Sequence, residues 1–563
     1  MLSAITLTAL LVSARPMAAA PCESLAALVL PHTTITLANL VDAGTFVQFP
    51  AGRGGPPPPP PPAARGTASA VGTEAGRGGQ APGGPGGRGS RGGGAASPFA
   101  DLPAFCRVTA TLTPSDDSDI KMELWMPAAS AEGSGEPRRS SQERSRATGW
   151  NGNLRGTGNG GLGGGSGVNP GALAAGIRRG YATVGNNTGH EGDSSYALNH
   201  PERIKDFGYR SVHEMTIAAK ALVTAFYGTA PKTSYVVEGG GGTIAALSSA
   251  QRYPEDYDVI AVTGMSSYLT RHTFAQMWVW QATHADDASF IPPEKYRVLN
   301  QAALNACDAR DGLKDGIIGN VERCKFDPRV TLCKGGDGST CLTAAQVEAA
   351  RKIYAGPTNP RTKEQIYSPL YPGSELGWGQ LAGGAQPLGI PVEFFKYYVF
   401  RDPKWDYKTR PVNFDSDVEL SNRPEIQAVN AVDPDLSRFF GGGGTLLLVD
   451  GWSDTAVPPK VAVNYYKSVV AKVGAKAVKE SMRFFMVPGM GHGPGTNGEE
   501  NFNFDALGVV EQWKQTGKAP DSLMVSHFKN GVEVGKRLVC QYPQIATYKG
   551  KGDAEDPSSY SCK

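Results

Sequence analysis

The segment Tyr235-Val-Val-Glu-Gly-Gly-Gly-Gly-Thr243 constrains this chain more than any other. A β-branched run enters it, consecutive glycines turn it, and Ile244-Ala-Ala-Leu-Ser-Ser-Ala-Gln-Arg-Tyr253 leaves it as a helix-compatible run. Strand, tight turn and helix in immediate succession make up half of a βαβ unit, and such units build sheets with helices on their faces. The same rhythm precedes it. Cys106-Arg-Val-Thr-Ala-Thr-Leu-Thr113 and Ile120-Lys-Met-Glu-Leu-Trp125 alternate as two strands around a Pro-Ser-Asp-Asp-Ser turn. A helical run Ala172–Arg179, a strand Tyr181–Val184 and an apolar-periodic helix Met215–Tyr227 follow, so the class is α/β.

After Asp258-Val-Ile-Ala-Val262 the alternation stops, and a stretch rich in Cys, Trp and Pro intervenes before Thr445-Leu-Leu-Leu-Val449 and Arg483-Phe-Phe-Met-Val487 resume it. An inserted lid closing over the strand ends accounts for the interruption. The expected organisation is a signal peptide over 1–20, an N-terminal piece of the core over 21–50 and a disordered insertion over 51–98. The first part of the core then covers 99–264, the lid 265–430, and the second part of the core with a pinned tail 431–563.

Met1–Ala20 joins an apolar stretch to small residues suited to signal-peptidase cleavage, although no Lys or Arg precedes the stretch. It predicts a secreted or periplasmic protein, and no later stretch is long and apolar enough to engage a membrane as a span. Eight cysteines in an exported chain predict four disulfides. Cys307 and Cys324 bracket an Asp-rich loop, Cys333 and Cys341 close a Gly-rich turn, Cys540 and Cys562 pin the tail, and Cys22 and Cys106 join across the low-complexity segment. Zinc would need clustered Cys-x-x-Cys pairs, and there are none.

Residues 51–98 hold the proline run Pro56–Pro62 and then Gly, Ala and Arg, with too little apolar surface to fold. The Arg-Gly-Gly elements at Arg53, Arg77 and Arg91 suit a disordered RNA-binding arm, but a solvated insertion is the simpler reading in an exported protein. A net charge of +2 points to no nucleic-acid partner. Ser130–Thr148 reads as a second loop insertion.

The chemistry gathers at three strand ends. In hydrolases of this build the tight turn carries Gly-x-Ser-x-Gly and lifts a serine oxygen above the sheet. Here Gly240 occupies that position. Asp450-Gly-Trp-Ser-Asp454 follows the strand at 445–449, and Pro488-Gly-Met-Gly-His492 follows the strand at 483–487. Elbow, acid and base therefore occur in the chain order of an α/β-hydrolase triad, with His492 as the general base and Asp454 as its orienting acid. Asp450 is a rival acid, and the bland alternative is that Asp454 caps a turn while His492 is a loop residue. Ser248 and Ser249 lie too far along the following helix to replace the serine.

Cys307-Asp308-Ala-Arg-Asp311-Gly-Leu313-Lys-Asp315-Gly-Ile317 sets three carboxylates at short intervals, and the carbonyls of Leu313 and Ile317 can complete an oxygen cage. Hard oxygen donors favour Ca²⁺ here, in a spacing that is not the EF-hand's, against the alternative of a solvated acidic turn. The lid aromatics Phe394-Phe-Lys-Tyr-Tyr-Val-Phe400, Trp378 and Trp405 could stack on an aromatic ligand, but their composition predicts a lid core.

Taken together, Cys106-Arg-Val, Trp150-Asn-Gly, Gly158-Asn-Gly-Gly161, Thr188-Gly-His190, Asp206-Phe-Gly-Tyr-Arg210, Ala250-Gln-Arg-Tyr-Pro254, Asp433-Pro-Asp-Leu-Ser437, Gly451-Trp-Ser-Asp454 and Pro488-Gly-Met-Gly-His492 resemble the tannase and feruloyl esterase family from Cys22 to Cys562. The resemblance implies an α/β-hydrolase fold with a large inserted lid, a calcium ion on Asp308, Asp311, Leu313, Asp315 and Ile317, and small phenolic esters of feruloyl or galloyl type as substrates. It also implies Gly-Cys-Ser at the elbow and His-Cys at the base, with the two cysteines bonded to each other. Counting back from Ala250, the cysteine falls on Gly239, the serine on Gly240, and the second cysteine on Gly493. Glu238 stands where the family has glycine. The expectation is thus either a carboxylic ester hydrolase without its serine or an inactive relative that binds aromatic esters or other plant-derived ligands.

Overall fold

A computed structural model describes residues 20–48, 97–128, 149–158, 162, 168–495 and 500–563. The proposed leader up to residue 19, almost all of the 51–98 insertion and the stretch 130–148 lie outside the described residues, as do positions 159–161.

The described strands form a 9-stranded sheet in the order β1-β2-β3-β5-β4-β6-β7-β8-β9. Its members are β1 (Thr33–Val41), β2 (Phe105–Leu112), β3 (Ile120–Pro127), β4 (Asn153–Thr157), β5 (Ala182–Asn186), β6 (Thr233–Gly239), β7 (Val259–Thr263), β8 (Thr445–Gly451) and β9 (Met482–Val487). The first three run antiparallel to their neighbours, and β5-β4-β6-β7-β8-β9 is parallel. A largely parallel sheet with helices joining its strands is an α/β architecture, as expected.

Helices join the parallel strands. From β4 the chain passes through α1 (Pro170–Arg178) to β5, then returns through α2 (Ser211–Tyr227) to β6 on the other side of β4. That reversal opens a crevice at the carboxyl ends of β4 and β6, where open α/β sheets bind ligands. The helix α2 begins at Ser211, earlier than its apolar period indicates. Just before it, Asp206–Arg210 forms a π-helical segment, held in part by a 2.6 Å bond from Arg210 Nε to Asp206 Oδ1.

The unbroken apolar run Leu446–Val449 is explained by burial on both faces. Leu446 and Leu448 join Ile260, Val262, Phe484 and Met486 in one core, while Leu447 and Val449 join Val259, Ala261, Phe485 and Val487 in another. The second core is covered by an element not foreseen from the sequence. This is a three-stranded antiparallel sheet, β10 (Glu500–Asn503), β11 (Ser522–Lys529) and β12 (Val532–Cys540), through Leu523, Val525 and Val539.

Between β7 and β8 the chain is mainly helical. It begins with α3 (Leu269–Thr283), and its own core joins Val279, Leu299, Ala350, Ile353 and Trp378. Trp378, Phe394 and Phe395 are fully buried and Trp405 nearly so, which makes these aromatics packing residues. Disulfides join Cys22–Cys106, Cys307–Cys324, Cys333–Cys341 and Cys540–Cys562. No described helix is long and apolar enough to cross a membrane.

Candidate active site

The turn after β6 is an elbow. Gly240 takes φ +54°, a conformation that costs an L-residue but not glycine, and its N–H donates to the Thr263 carbonyl at 3.1 Å. Thr243 Oγ1 donates to the Gly240 carbonyl at 2.7 Å, and the Thr243 N–H reaches the same oxygen at 3.0 Å. The helix Gly242–Arg252 then starts with Gly241 as N-cap and no side chain capping it.

The loops after β8 and β9 are stitched together. Trp452 N–H donates to Val487 O at 3.0 Å and Ser453 N–H to Met490 O at 2.9 Å. This brings His492 Nδ1 within 2.7 Å of Asp454 Oδ2, and Asp454 Oδ1 accepts from the Val457 N–H at 2.9 Å. The approach is close enough that a Cβ on Gly264, at φ +60°, would lie 3.2 Å from His492 Nδ1. Asp450 makes no such bond: it accepts from Gly451 N–H at 2.8 Å and Met265 N–H at 3.3 Å. Of the two candidate acids, Asp454 is therefore the one that orients the imidazole.

Electrostatics separate the two acids further. Burial, with the Asp454 charge behind it, pushes Asp450 well above the ordinary carboxylate range. Burial opposes charge on His492, yet the Asp454 carboxylate and its hydrogen bond, with Asp450 adding, outweigh it and hold the imidazole up at about 9.

A Cβ built on Gly240 would lie 3.1 Å from His492 Nε2. The elbow thus aims its missing side chain at the base. Gly239 and Gly493, where the resemblance would place two cysteines, have Thr263 Oγ1 as a common neighbour, at 3.1 and 3.8 Å from their ideal Cβ positions. Ser248 Oγ donates to the Gly208 carbonyl and Ser249 Oγ to the Ala245 carbonyl, so neither is turned to the elbow. Glu238 leans onto Gly158, whose N–H it accepts. Burial pushes its carboxyl up to about 7 against the Gly158 bond and the Arg155 charge.

A cavity of about 500 Å³ opens over Gly240 and His492. Two of its residues were not singled out by sequence reasoning. His272 and Gln276, four apart on α3, both line it, each is only 4 % exposed, and His272 Nδ1 and Gln276 Oε1 lack hydrogen-bond partners. Burial and then the charge of His492 push His272 down to about 3, so it is neutral. Sequence offered no signal for either, because the lid brings them to the site from a separate segment.

The Asp-rich loop lies apart from this cavity. Asp308 accepts from Asp315 N–H at 3.3 Å and Gly316 N–H at 3.0 Å, and Asp311 from Leu313 N–H at 3.1 Å. Asp315 accepts from Ile317 N–H at 3.1 Å and pairs with Arg537 Nη1 at 2.6 Å. Burial raises Asp308 and Asp311, the latter to about 6, and the neighbouring carboxylates add to both. The donors are hard oxygens carrying more negative charge than Arg537 balances, which fits a calcium ion chemically. As they stand, no three acidic, His or Cys side chains among the described residues are gathered as a ligand set.

Known proteins resemble this chain over most of its length. The family model for tannase and feruloyl esterase matches residues 106–563. An uncharacterised esterase of Xanthomonas campestris pv. campestris is 35% identical over 509 residues, 82% of this chain and 84% of its own. A probable feruloyl esterase B-2 of Aspergillus fumigatus is 30% identical over 485 residues, 81% of this chain and 86% of its own. Among solved structures, feruloyl esterase B from Aspergillus oryzae superimposes with a TM-score of 0.77 at 24% identity, covering 96% of this chain and 99% of its own.

Proposed function

The chain belongs to the tannase and feruloyl esterase family of ester hydrolases, and on that premise we propose that it cleaves small phenolic esters with water, not serine, as the nucleophile. The supporting observation is that the elbow brings the Cβ position of Gly240 to 3.1 Å from His492 Nε2 with no side chain on it, so the base faces the cavity volume directly. In the proposed reaction His492 Nε2 takes a proton from water in that volume, and the oxygen adds to the acyl carbon. The oxyanion forms near the uncapped amides at the start of the elbow helix. On collapse the ester C–O bond breaks, and His492 returns the proton to the leaving oxygen, giving an acid and an alcohol.

Triad enzymes stripped of their nucleophile keep roughly 10³–10⁴-fold acceleration over water, which sets the expected scale. Single turnover of methyl ferulate in ¹⁸O-water, without a burst, tests the proposal. The label should enter ferulate, His492→Ala should abolish the reaction, and a fluorophosphonate should leave no adduct. A serine adduct would overturn it.

A second reading, a non-catalytic binder of aromatic esters, draws support from the state of His492, which is protonated at neutral pH and a poor base there. The same ¹⁸O measurement at pH 9 separates the two readings, since a binder releases no ferulate at any pH. We also propose that the chain is exported, in keeping with its disulfides, and that the loop of Asp308, Asp311 and Asp315, with the carbonyls of Leu313 and Ile317, takes a structural calcium ion.

A further inference from the structure

Removing a serine side chain from a hydrolase elbow has a consequence beyond lost covalent chemistry. His492 Nδ1 is committed to Asp454, and Nε2 has no hydrogen-bond partner among the described residues. In a serine enzyme the hydroxyl fills that direction. Here His492 and Gly241, the N-cap of an 11-residue helix that no side chain caps, both line the cavity. The site therefore offers a cationic donor and a helix amino end lining one cavity.

The rest of the cavity supplies the outline of a ligand. Leu162, Phe207, Ile244, Leu269, Leu388 and Ile390 give it apolar walls wide enough for an aromatic ring. Across it stand His272 and Gln276, each more than nine-tenths buried, with His272 Nδ1 and Gln276 Oε1 unpartnered. Orphaned polar atoms at such depth are costly unless something occupies the space before them.

We infer that this cavity is a receptor for an aromatic carboxylate, the free acid in preference to its ester, with one carboxylate oxygen seated in the cavity beside Gly240 and against His492 Nε2. The inference rests on the reading that the cavity is the phenolic-ligand site, and it names the form of ligand held most tightly. An ester presents a neutral carbonyl to the imidazolium. The acid presents a full charge, and charge-assisted hydrogen bonds are roughly twice as strong as neutral ones.

The charged and titratable groups facing His492 are Asp454 and Asp450 from the β8 side and His272 from α3. Burial and the Asp454 charge hold Asp450 above the usual carboxylate range and burial holds His272 below the usual imidazole range, so among the described residues the imidazolium and Asp454 are the principal charges the ligand meets there. Glu238 turns away to Gly158 and does not line the cavity. Binding should persist while His492 keeps its proton and fail as pH rises through about 9.

Calorimetry with cinnamate and the isosteric neutral cinnamamide tests this, since neither carries a phenol that titrates. Cinnamate should bind at least about tenfold more tightly at pH 7, and its Kd should rise about tenfold per pH unit above pH 9 while that of cinnamamide stays level. Gly240→Ala, whose methyl enters the volume beside Nε2, should weaken cinnamate at least about tenfold and cinnamamide far less. His492→Gln, which removes the charge, should equalise the two ligands, and melting curves confirm that both variants fold. Equal affinity in the wild type, or a cinnamate Kd indifferent to pH, would overturn the inference and leave the cavity as a phenolic site. If neither ligand binds at millimolar concentration, the reading of the cavity itself fails.

Discussion

The elbow after β6 and the paired loops after β8 and β9 meet at one point, yet they have kept different things. The acid–base loops retain Asp454 and His492 at 2.7 Å, with Asp450 packed behind them. The elbow retains its backbone, with Gly240 at φ +54° aimed at His492, but has no side chain to present. The difference shows that elbow geometry does not depend on the nucleophile. It is held by Thr243 and the Thr263 carbonyl, and glycine adopts it without strain, whereas serine must be forced into it. Covalent chemistry and the fold that positions it are separable.

Rebuilding the elbow is the sharpest test of that separation. Gly240→Ser, Gly239→Cys, Gly493→Cys and Glu238→Gly together should create a fluorophosphonate-reactive serine and raise esterase activity by about a hundredfold or more, because nucleophile and base act as a unit. The two new sulfurs must pass Thr263 Oγ1, which neighbours both Cβ positions, so disulfide formation should be confirmed by mass before activity is compared. A folded, oxidised quadruple variant no faster than wild type would mean that more than the nucleophile has been lost.

The two regions were also unequally legible in sequence. The turn at 239–242 and the motifs ending in Asp454 and His492 are local patterns, each following a strand, and each could be placed without knowing what lay across from it. What was missed comes from afar. His272 reaches the cavity from the lid, Thr263 comes to lie beside both cysteine positions only when β7 pairs with β6, and Glu238 meets Gly158 only because β4 lies beside β6. The edge strand β1 and the sheet β10-β11-β12 were missed for another reason. Their residues are largely half-exposed, as along Val532–Cys540, so the apolar signal that marks buried strands is weak.

The Asp-rich loop offers a second contrast with the elbow, as a proposed site whose carboxylates are still in the sequence. If Asp308, Asp311 and Asp315 share one calcium ion, the folded state gains about 2.7 kcal/mol when the ion is at a hundred times its Kd. Excess EGTA should then lower Tm by a few degrees, and readdition of Ca²⁺ should restore it, while Mg²⁺ restores less because it demands a tighter octahedral shell. Arg537 ties Asp315 to β12, so Arg537→Ala should enlarge the EGTA effect by leaving Asp315 to the ion alone. A melting curve indifferent to EGTA, with no calcium by elemental analysis, removes the ion from the description.

The smallest expected effect concerns Glu238, the residue that most distinguishes this elbow from the family pattern after the lost serine and cysteines. Its folded carboxyl is pushed up to about 7 from an ordinary 4.5, chiefly by burial, with the Gly158 N–H and Arg155 resisting. Between those two values the folded state binds more protons than the unfolded one. Stability therefore falls as pH rises across that window and stays reduced above it. Glu238→Gln keeps an oxygen to accept the Gly158 N–H but carries no charge, so it removes that slope. The variant should match wild type in Tm at pH 5 and exceed it by a degree or two at pH 8, because lifting a carboxyl from 4.5 to about 7 costs up to about 3 kcal/mol and a chain this long shifts by only about 1 °C per kcal/mol. A Tm difference that does not change between pH 5 and pH 8 would show that Glu238 is already ionised and well accommodated in the fold. The carboxylate would then be a stabilising part of this elbow, and the rebuilt variant described above should keep it.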